Sequence, residues 1–482
     1  MNKLLTALLL TVSTHSFSQG TSNDICSGGV YPAQWIWSSQ TLQNQPASAT
    51  EGEPKIVQIR NGTVIATYSN FGGDAGYSLP NAINGGDPKV GPFRRKPYTQ
   101  WQNGDTFEVY PAIYSGPNQQ IYVGPNRLND AATVSDMPTN ITIRGITVNG
   151  QRPVIVNPSS GASVSNYNQS LIYVDGGYDA AGNLTKSSTN ITIENIDVID
   201  SPTGGYLGKA AVYINGGANV TLSNLRIAGF KRHNVNGVLA TGNNSGTLLF
   251  KNLELDSNGG DNGPAHNAYI NASTRDPNFT FIVFGSWSHD AQYGHELKSR
   301  AQNTVIEGSY LSGALATPGT QTETYLLDVP DGGTLTVLNN IFVKNYSGNQ
   351  SNGASLTFGI EHQNLPRDWK LAVAHNTFVA LSKSYDDAGH TLYPLFISSL
   401  APGPKTVDSN VYIGYCPSGL TYKDFRGTNS ATLKFSEIDL SFRPYIPQLT
   451  GISAIVNTYG YEHKAGLSQR TTNALGARDA PN

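Results

Sequence analysis

Residues 140–148 read NITIRGITV, residues 190–198 read NITIENIDV, and residues 219–227 read NVTLSNLRI. Each is a short alternation of aliphatic or β-branched residues, a small polar corner, and a second short alternation. The pattern continues as TLLFKNLEL from Thr247, TFIVFGSWS from Thr280, NTVIEGSYL from Asn303, LTVLNNIFV from Leu335, LAVAHNTFV from Leu371 and KTVDSNVYI from Lys405. The corners fall at Asn195, Asn224, Asn252, Ser286, Ser309, Asn340, Asn376 and Asn410, 23 to 36 residues apart. A hairpin sandwich has no reason to place a small polar residue at the same corner in every repeat. Propeller blades, at ~40 residues or more, are too long for this period. A stack of parallel coils fits, because each strand then pairs with its equivalent ~4.8 Å away in the next coil. Asparagines stacked at equivalent corners satisfy buried backbone groups and tolerate left-handed backbone. The expected fold is all-β, a right-handed parallel β-helix.

The rest of the chain is arranged around this array. IVQIRNGTVIATY from Ile56 and DTFEVYPAIY from Asp105 read as early, irregular coils, with a Gly- and Pro-rich insertion over 71–99 between them. The pattern fades after 416, so 417–482 is expected to cap the last coil, whose open edge would otherwise be unpaired. Residues 1–18 pair a basic start with the apolar run Leu4–Val12 and small residues at Ser16 and Ser18. That is the form of an export signal, and it makes 19–416 the helix domain of a secreted or periplasmic protein. No later run is apolar for ~20 residues, so no membrane span is expected. A net charge of −3 offers nothing to a nucleic acid. The two cysteines, Cys26 and Cys416, either join the two ends of the domain or stay free. The sequons at Asn140, Asn190 and Asn219 read as turn asparagines before strand threonines. Oligomeric state has no signature here.

A further strand should precede each pair: AVYIN (211–215), GVLAT (237–241), HNAYINA (266–272), HELKSRA (295–301), YLLDV (325–329) and FGIEH (358–362). Alternation turns Ala268, Ile270, Leu297, Ser299, Leu327, Val329 and Ile360 inward. Asn267, Tyr269, Asn271, Glu296, Lys298, Arg300, Asp328 and Glu361 then face out. Coil spacing lines up Tyr269, Lys298, Asp328 and Glu361 as one column, with His266 and His295 beside it. The earlier coils put Tyr213 and Leu239 in that column. In a chain only 13% charged, this concentration marks a candidate site. Trp287, His289 and Tyr293 lie close in sequence and offer ring faces for sugars. A long outer face on an exported array suits an extended polysaccharide.

The repeat resembles the pectate-lyase-like β-helix superfamily over most of the chain. HELKSRAQNTVIEGSYL, from His295, resembles the active strand of polysaccharide lyases of the chondroitinase B and alginate lyase type. The resemblance implies Lys298 as catalytic base and Glu296 as an acid that would hold calcium. Where those lyases carry an arginine one coil on, this chain has Asp328.

Three functions follow. A lyase removes the C5 proton of a uronate and expels the 4-linked sugar. Arg300 would neutralise the carboxylate, Lys298 or His295 would take the proton, Tyr269 would protonate the leaving oxygen, and His266 and Asn267 would orient the sugar. A glycoside hydrolase would use Asp328 and Glu361, one coil apart, as its carboxylate pair. A non-catalytic polysaccharide-binding array would use the same face for affinity alone.

Overall fold

The computed structural model describes residues 46–71, 102–115, 119–124, 137–158, 170–179, 181–205, 207–231, 235–260, 265–313, 324–344, 353–361, 369–380, 392–408, 410–413 and 431–433. The expected export signal at 1–18, both cysteines and nearly all of the expected cap at 417–482 lie outside them, as does most of the expected insertion over 71–99. Every element among the described residues is a β-strand.

Three long sheets carry the fold, of nine, twelve and eleven strands. The chain visits them in turn. Ala268–Ile270 lies in the nine-stranded sheet, Thr280–Phe284 in the twelve-stranded sheet and Trp287–His289 in the eleven-stranded sheet. Leu297–Ser299 then returns to the first, one strand further along. Neighbours within each sheet come from successive repeats and pair in parallel, as Tyr269 does with Lys298, Phe281 with Thr304 and Ser288 with Leu311. The early segments differ. Ile56–Arg60 and Thr63–Tyr68 form an antiparallel hairpin on the edge of the twelve-stranded sheet.

Alternation turns one column of each sheet into a common interior. Val212, Val238, Ala268, Leu297, Leu327 and Leu356 line it from the nine-stranded sheet, and Leu222, Phe250, Val283, Ile306, Val337 and Val373 from the twelve-stranded one. The eleven-stranded sheet adds Ile227, Leu255, Leu311 and a stack of rings, Phe342 on Phe378 at 4.7 Å and Phe378 on Tyr412 at 5.5 Å. Burying a side chain of this size contributes about 1.5–3 kcal/mol, and each column repeats it along the array.

The corner contains two adjacent ladders where the sequence suggested one. Register aligns Asn195, Asn224 and Asn252 with Gly285, Gly308, Asn339 and His375, and all of these are left-handed. The next position is buried: Ile196, Leu225 and Leu253 in the N-terminal repeats, then Ser286, Ser309, Asn340, Asn376 and Asn410. In this second ladder each side chain serves the preceding repeat. The backbone N–H of Asn340 donates to Asn376 Oδ1, and that of Asn376 to Asn410 Oδ1, both at 2.9 Å. The step from Asn252 to Ser286 therefore slips by one residue from true register. Asn140, Asn190 and Asn219 form another left-handed ladder, linked amide to amide at 2.8 and 3.1 Å.

Candidate active site

Lys298 and Arg300 leave the same strand edge of the nine-stranded sheet on one side, with the buried Ser299 between them turned into the core. Parallel pairing sets Tyr269 beside Lys298 and Lys298 beside Asp328, so this part of the expected column is present. Glu361 is not in it. The strand there is Gly353–Phe358, and Thr357 pairs with Asp328. Gly359 ends that strand with a left-handed φ of 71°, against Trp369, where a Cβ would come within 2.3 Å of the indole. Glu361 lies beyond the break, its backbone N–H bonded to Pro330 O. From there its carboxylate reaches back over the column.

The result is a closed network. Lys298 Nζ lies 3.0 Å from Asp328 Oδ2 and 2.9 Å from Glu361 Oε1. Arg300 donates Nη2 to Glu361 Oε2, Nη1 to Asp331 Oδ1 at 2.6 Å, and Nε to the Tyr269 hydroxyl at 3.1 Å. Asp328 also accepts from Thr357 Oγ1 and lies 3.3 Å from His295 Nε2. Behind it the rings of His266, His295 and Tyr325 stack at 4.6 and 5.0 Å. His266 Nδ1 accepts the His295 backbone N–H at 2.8 Å, which puts the proton of the neutral ring on Nε2.

These contacts set the charge states. Burial would draw the Lys298 ammonium down, but Asp328 and then Glu361 outweigh it and hold the group above the usual lysine value. Burial would raise Asp328; His295 and Lys298 reverse this and hold it well below the carboxylate range. Glu361, likewise pushed up by burial, is brought below its usual value by Lys298 and Arg300. Burial, reinforced by His295 and Lys298, keeps His266 well below the usual imidazole value, so it stays neutral. With Glu361 and Asp328 on it, Lys298 is held as a cation, which counts against the expected role as base.

The side chain of Glu361 is 35% exposed, against 10% for Lys298 and 9% for Arg300. Glu361 covers the two cations from the solvent side. Asp331 and Thr357 complete the network and were not singled out from sequence. Asp331 is hidden in the turn DVPDGG, where an aspartate reads as turn chemistry.

Several expected site residues lie elsewhere. Asn267 is fully buried rather than outward, its amide tied to Leu255 O, Ser288 Oγ, His289 O and Glu296 Oε2. Glu296 is also fully buried, accepting from Ala291 N and Ser288 Oγ. A calcium ion there would displace those donors, so this carboxylate braces the corner instead. His266 is buried beneath the column rather than facing a sugar. Trp287 and His289 belong to the eleven-stranded sheet and stack on one another at 3.8 Å, both buried. Asn271 is half-buried just past its strand, its Oδ1 accepting the next backbone N–H. Tyr293 is exposed on the turn that leads to Lys298.

No family model and no curated protein matches the chain. A pectate lyase from Bacillus sp. N165, solved in complex with trigalacturonate, is similar with a TM-score of 0.30 and 13% identity, over 69% of this chain and 85% of that one. The structure of XylC with xylose gives a TM-score of 0.27 and 11% identity, over 68% of this chain and 54% of its own. Both are distant likenesses of fold. Among the described residues no helix is long and apolar enough to cross a membrane.

Proposed function

We propose that this chain is an exported right-handed parallel β-helix that cleaves a uronate-containing polysaccharide by β-elimination at the Lys298–Arg300 face. One observation carries the reading: a carboxylate already bridges the two cations. Glu361 places one oxygen on Lys298 Nζ and the other on Arg300 Nη2. A uronate carboxylate has the same geometry, and Glu361 is the member of the network most open to solvent. When Glu361 turns outward, the substrate carboxylate takes its place. Two cations on that carboxylate stabilise the negative charge that builds up as C5 loses its proton.

Tyr269 is half-buried beside both cations, its hydroxyl oxygen held by Arg300 Nε. Tyr269 is the base: its own hydroxyl proton passes to solvent as its oxygen takes the C5 proton. The C5–H electrons form the C4–C5 double bond, the C4–O4 bond breaks, and Tyr269 returns the proton to O4 of the leaving sugar. Asp328 and His295 fix Lys298 in position. The hydrolase reading has less support, because Lys298 Nζ lies between the two carboxylates, 3.0 Å from Asp328 and 2.9 Å from Glu361, and both are drawn below their usual values where a hydrolase acid needs a raised one.

The test is absorbance near 230 nm on a panel of uronate polysaccharides. A rise with wild type that is lost in both Tyr269→Phe and Lys298→Ala supports the reading. New reducing ends without that absorbance would replace it with hydrolysis. Binding without either product would make the array a polysaccharide-binding protein.

A further inference from the structure

A second cluster of ionisable side chains lies on a different sheet. On strand Glu254–Asp256, Leu255 points into the core, so Glu254 and Asp256 share the opposite face. In register, Asp256 sits beside His289, Glu254 beside Trp287, and Arg226 beside Glu254. Asp256 Oδ1 approaches the Nδ1 side of the His289 ring, at 3.8 Å, and the ring is fixed on two sides. Nδ1 lies 2.7 Å from Asp290 Oδ2, and Trp287 stacks on its plane at 3.8 Å and 19°.

That arrangement leaves Nε2 buried and without a hydrogen-bond partner. The facing acid, Glu254 Oε1, is 3.6 Å away, too far for a hydrogen bond. It is close to the separation of about 3.4 Å between two ligands of one tetrahedral cation with bonds of about 2.0–2.1 Å. Glu254 Oε2 is also buried without a partner. One ligand atom from each of Glu254, Asp256 and His289 lies within 4.8 Å of the others. A carboxylate behind the distal nitrogen of a histidine is the usual way a metal ligand is oriented.

We propose that Glu254, Asp256 and His289 bind a divalent cation of the zinc class, with Asp290 as the positioning residue for His289. One imidazole nitrogen with two carboxylates suits zinc better than calcium, which prefers an all-oxygen shell. Arg226 occupies the entrance, Nη2 2.9 Å from Asp256 Oδ2 and Nε 3.3 Å from Glu254 Oε1. Its Nε has no hydrogen-bond partner and its side chain is 33% exposed, so the guanidinium can swing to solvent when a cation enters.

The experiment is calorimetric titration of the chelator-treated full chain with zinc ion, and separately with calcium ion. Wild type is expected to bind one zinc that raises its melting temperature. His289→Ala and Glu254→Gln should weaken that binding at least tenfold, Asp290→Asn by about tenfold, and Arg226→Ala should tighten it. Lys298→Ala, which lies in the proposed active site, should bind as wild type does. Glu254→Gln keeps the side chain's shape and decides the matter if His289→Ala does not fold. Zinc bound equally by wild type and Glu254→Gln overturns the proposal, as does wild type that binds no zinc, or that binds calcium more tightly than zinc.

Discussion

The N-terminal and C-terminal repeats use one backbone register for two kinds of surface. In the nine-stranded sheet a single column runs Tyr122, Tyr173, Tyr213, Leu239, Tyr269, Lys298, Asp328, Thr357. Its first three members pack against one another, Tyr122 edge-on to Tyr173 at 5.5 Å and Tyr173 tilted against Tyr213 at 5.0 Å. Burial pushes the Tyr213 phenol up to about 12, so it stays protonated. From Tyr269 onward the column becomes a charged network. The buried corner changes in the same direction, from Ile196, Leu225 and Leu253 to the hydrogen-bonded Ser and Asn ladder. The fold thus tolerates apolar residues at both positions. A charge cluster that the register does not require, and that costs desolvation to bury, points to chemistry rather than architecture.

The sharpest way to break this contrast is to remove the charge from the column. Lys298→Ala and Tyr269→Phe should each lower the rate of 230 nm absorbance by about 10²-fold or more. Polymer binding should survive in Tyr269→Phe, which keeps both cations. If either variant retains wild-type rate, the C-terminal surface is no more catalytic than the tyrosine stack.

Asp328→Asn tests how far the network also holds the fold. Removing one partner of a buried ion pair should cost about 3 kcal/mol at pH 7, read by chemical denaturation. The pH dependence has a defined sign. Asp328 is depressed in the folded state, so its contribution is present above its unfolded value and is lost as pH falls. The gap between wild type and Asp328→Asn should therefore shrink below about pH 4. A gap that stays constant down to pH 2 would mean the ion pair adds nothing.

Much of this was legible because a coil's length and a strand's period are both written in the sequence. Alternation and a step of one coil were enough to set Tyr269 beside Lys298 and Lys298 beside Asp328. The same arithmetic failed at Glu361. Alternation picked FGIEH, 358–362, whereas the strand is Gly353–Phe358, and the left-handed Gly359 that ends it needs Trp369 to explain it. The corner slipped by one residue for a related reason. Asn252 and Ser286 are both small and polar, and only the left-handed Gly285 shows which of them is equivalent to Asn224. Charge state was the least legible. Lys298 reads as a base beside Arg300, but the two carboxylates that hold it protonated arrive from other repeats.

Glu361→Gln is a gentler probe of the same face. It keeps the shape of the cover and removes its charge. If Glu361 competes with the substrate carboxylate, KM should fall several-fold while kcat changes little. A rise in KM would make Glu361 part of the binding surface instead.

The smallest effect belongs to the N-terminal half. The Tyr173 hydroxyl donates to Asp175 Oδ1 at 2.8 Å, and Tyr122 donates to Oδ2 of the same carboxylate, also at 2.8 Å. The Gly176 backbone N–H adds a third donor to Asp175 at 3.0 Å. Tyr173→Phe removes one of these three donors and keeps the ring stack. The expected cost is about 1 kcal/mol or less, with no change in the rate on any polymer. A loss of activity in Tyr173→Phe would extend the working surface along the column into the tyrosine stack, and the boundary would then have to move from Tyr269 toward the N-terminal repeats.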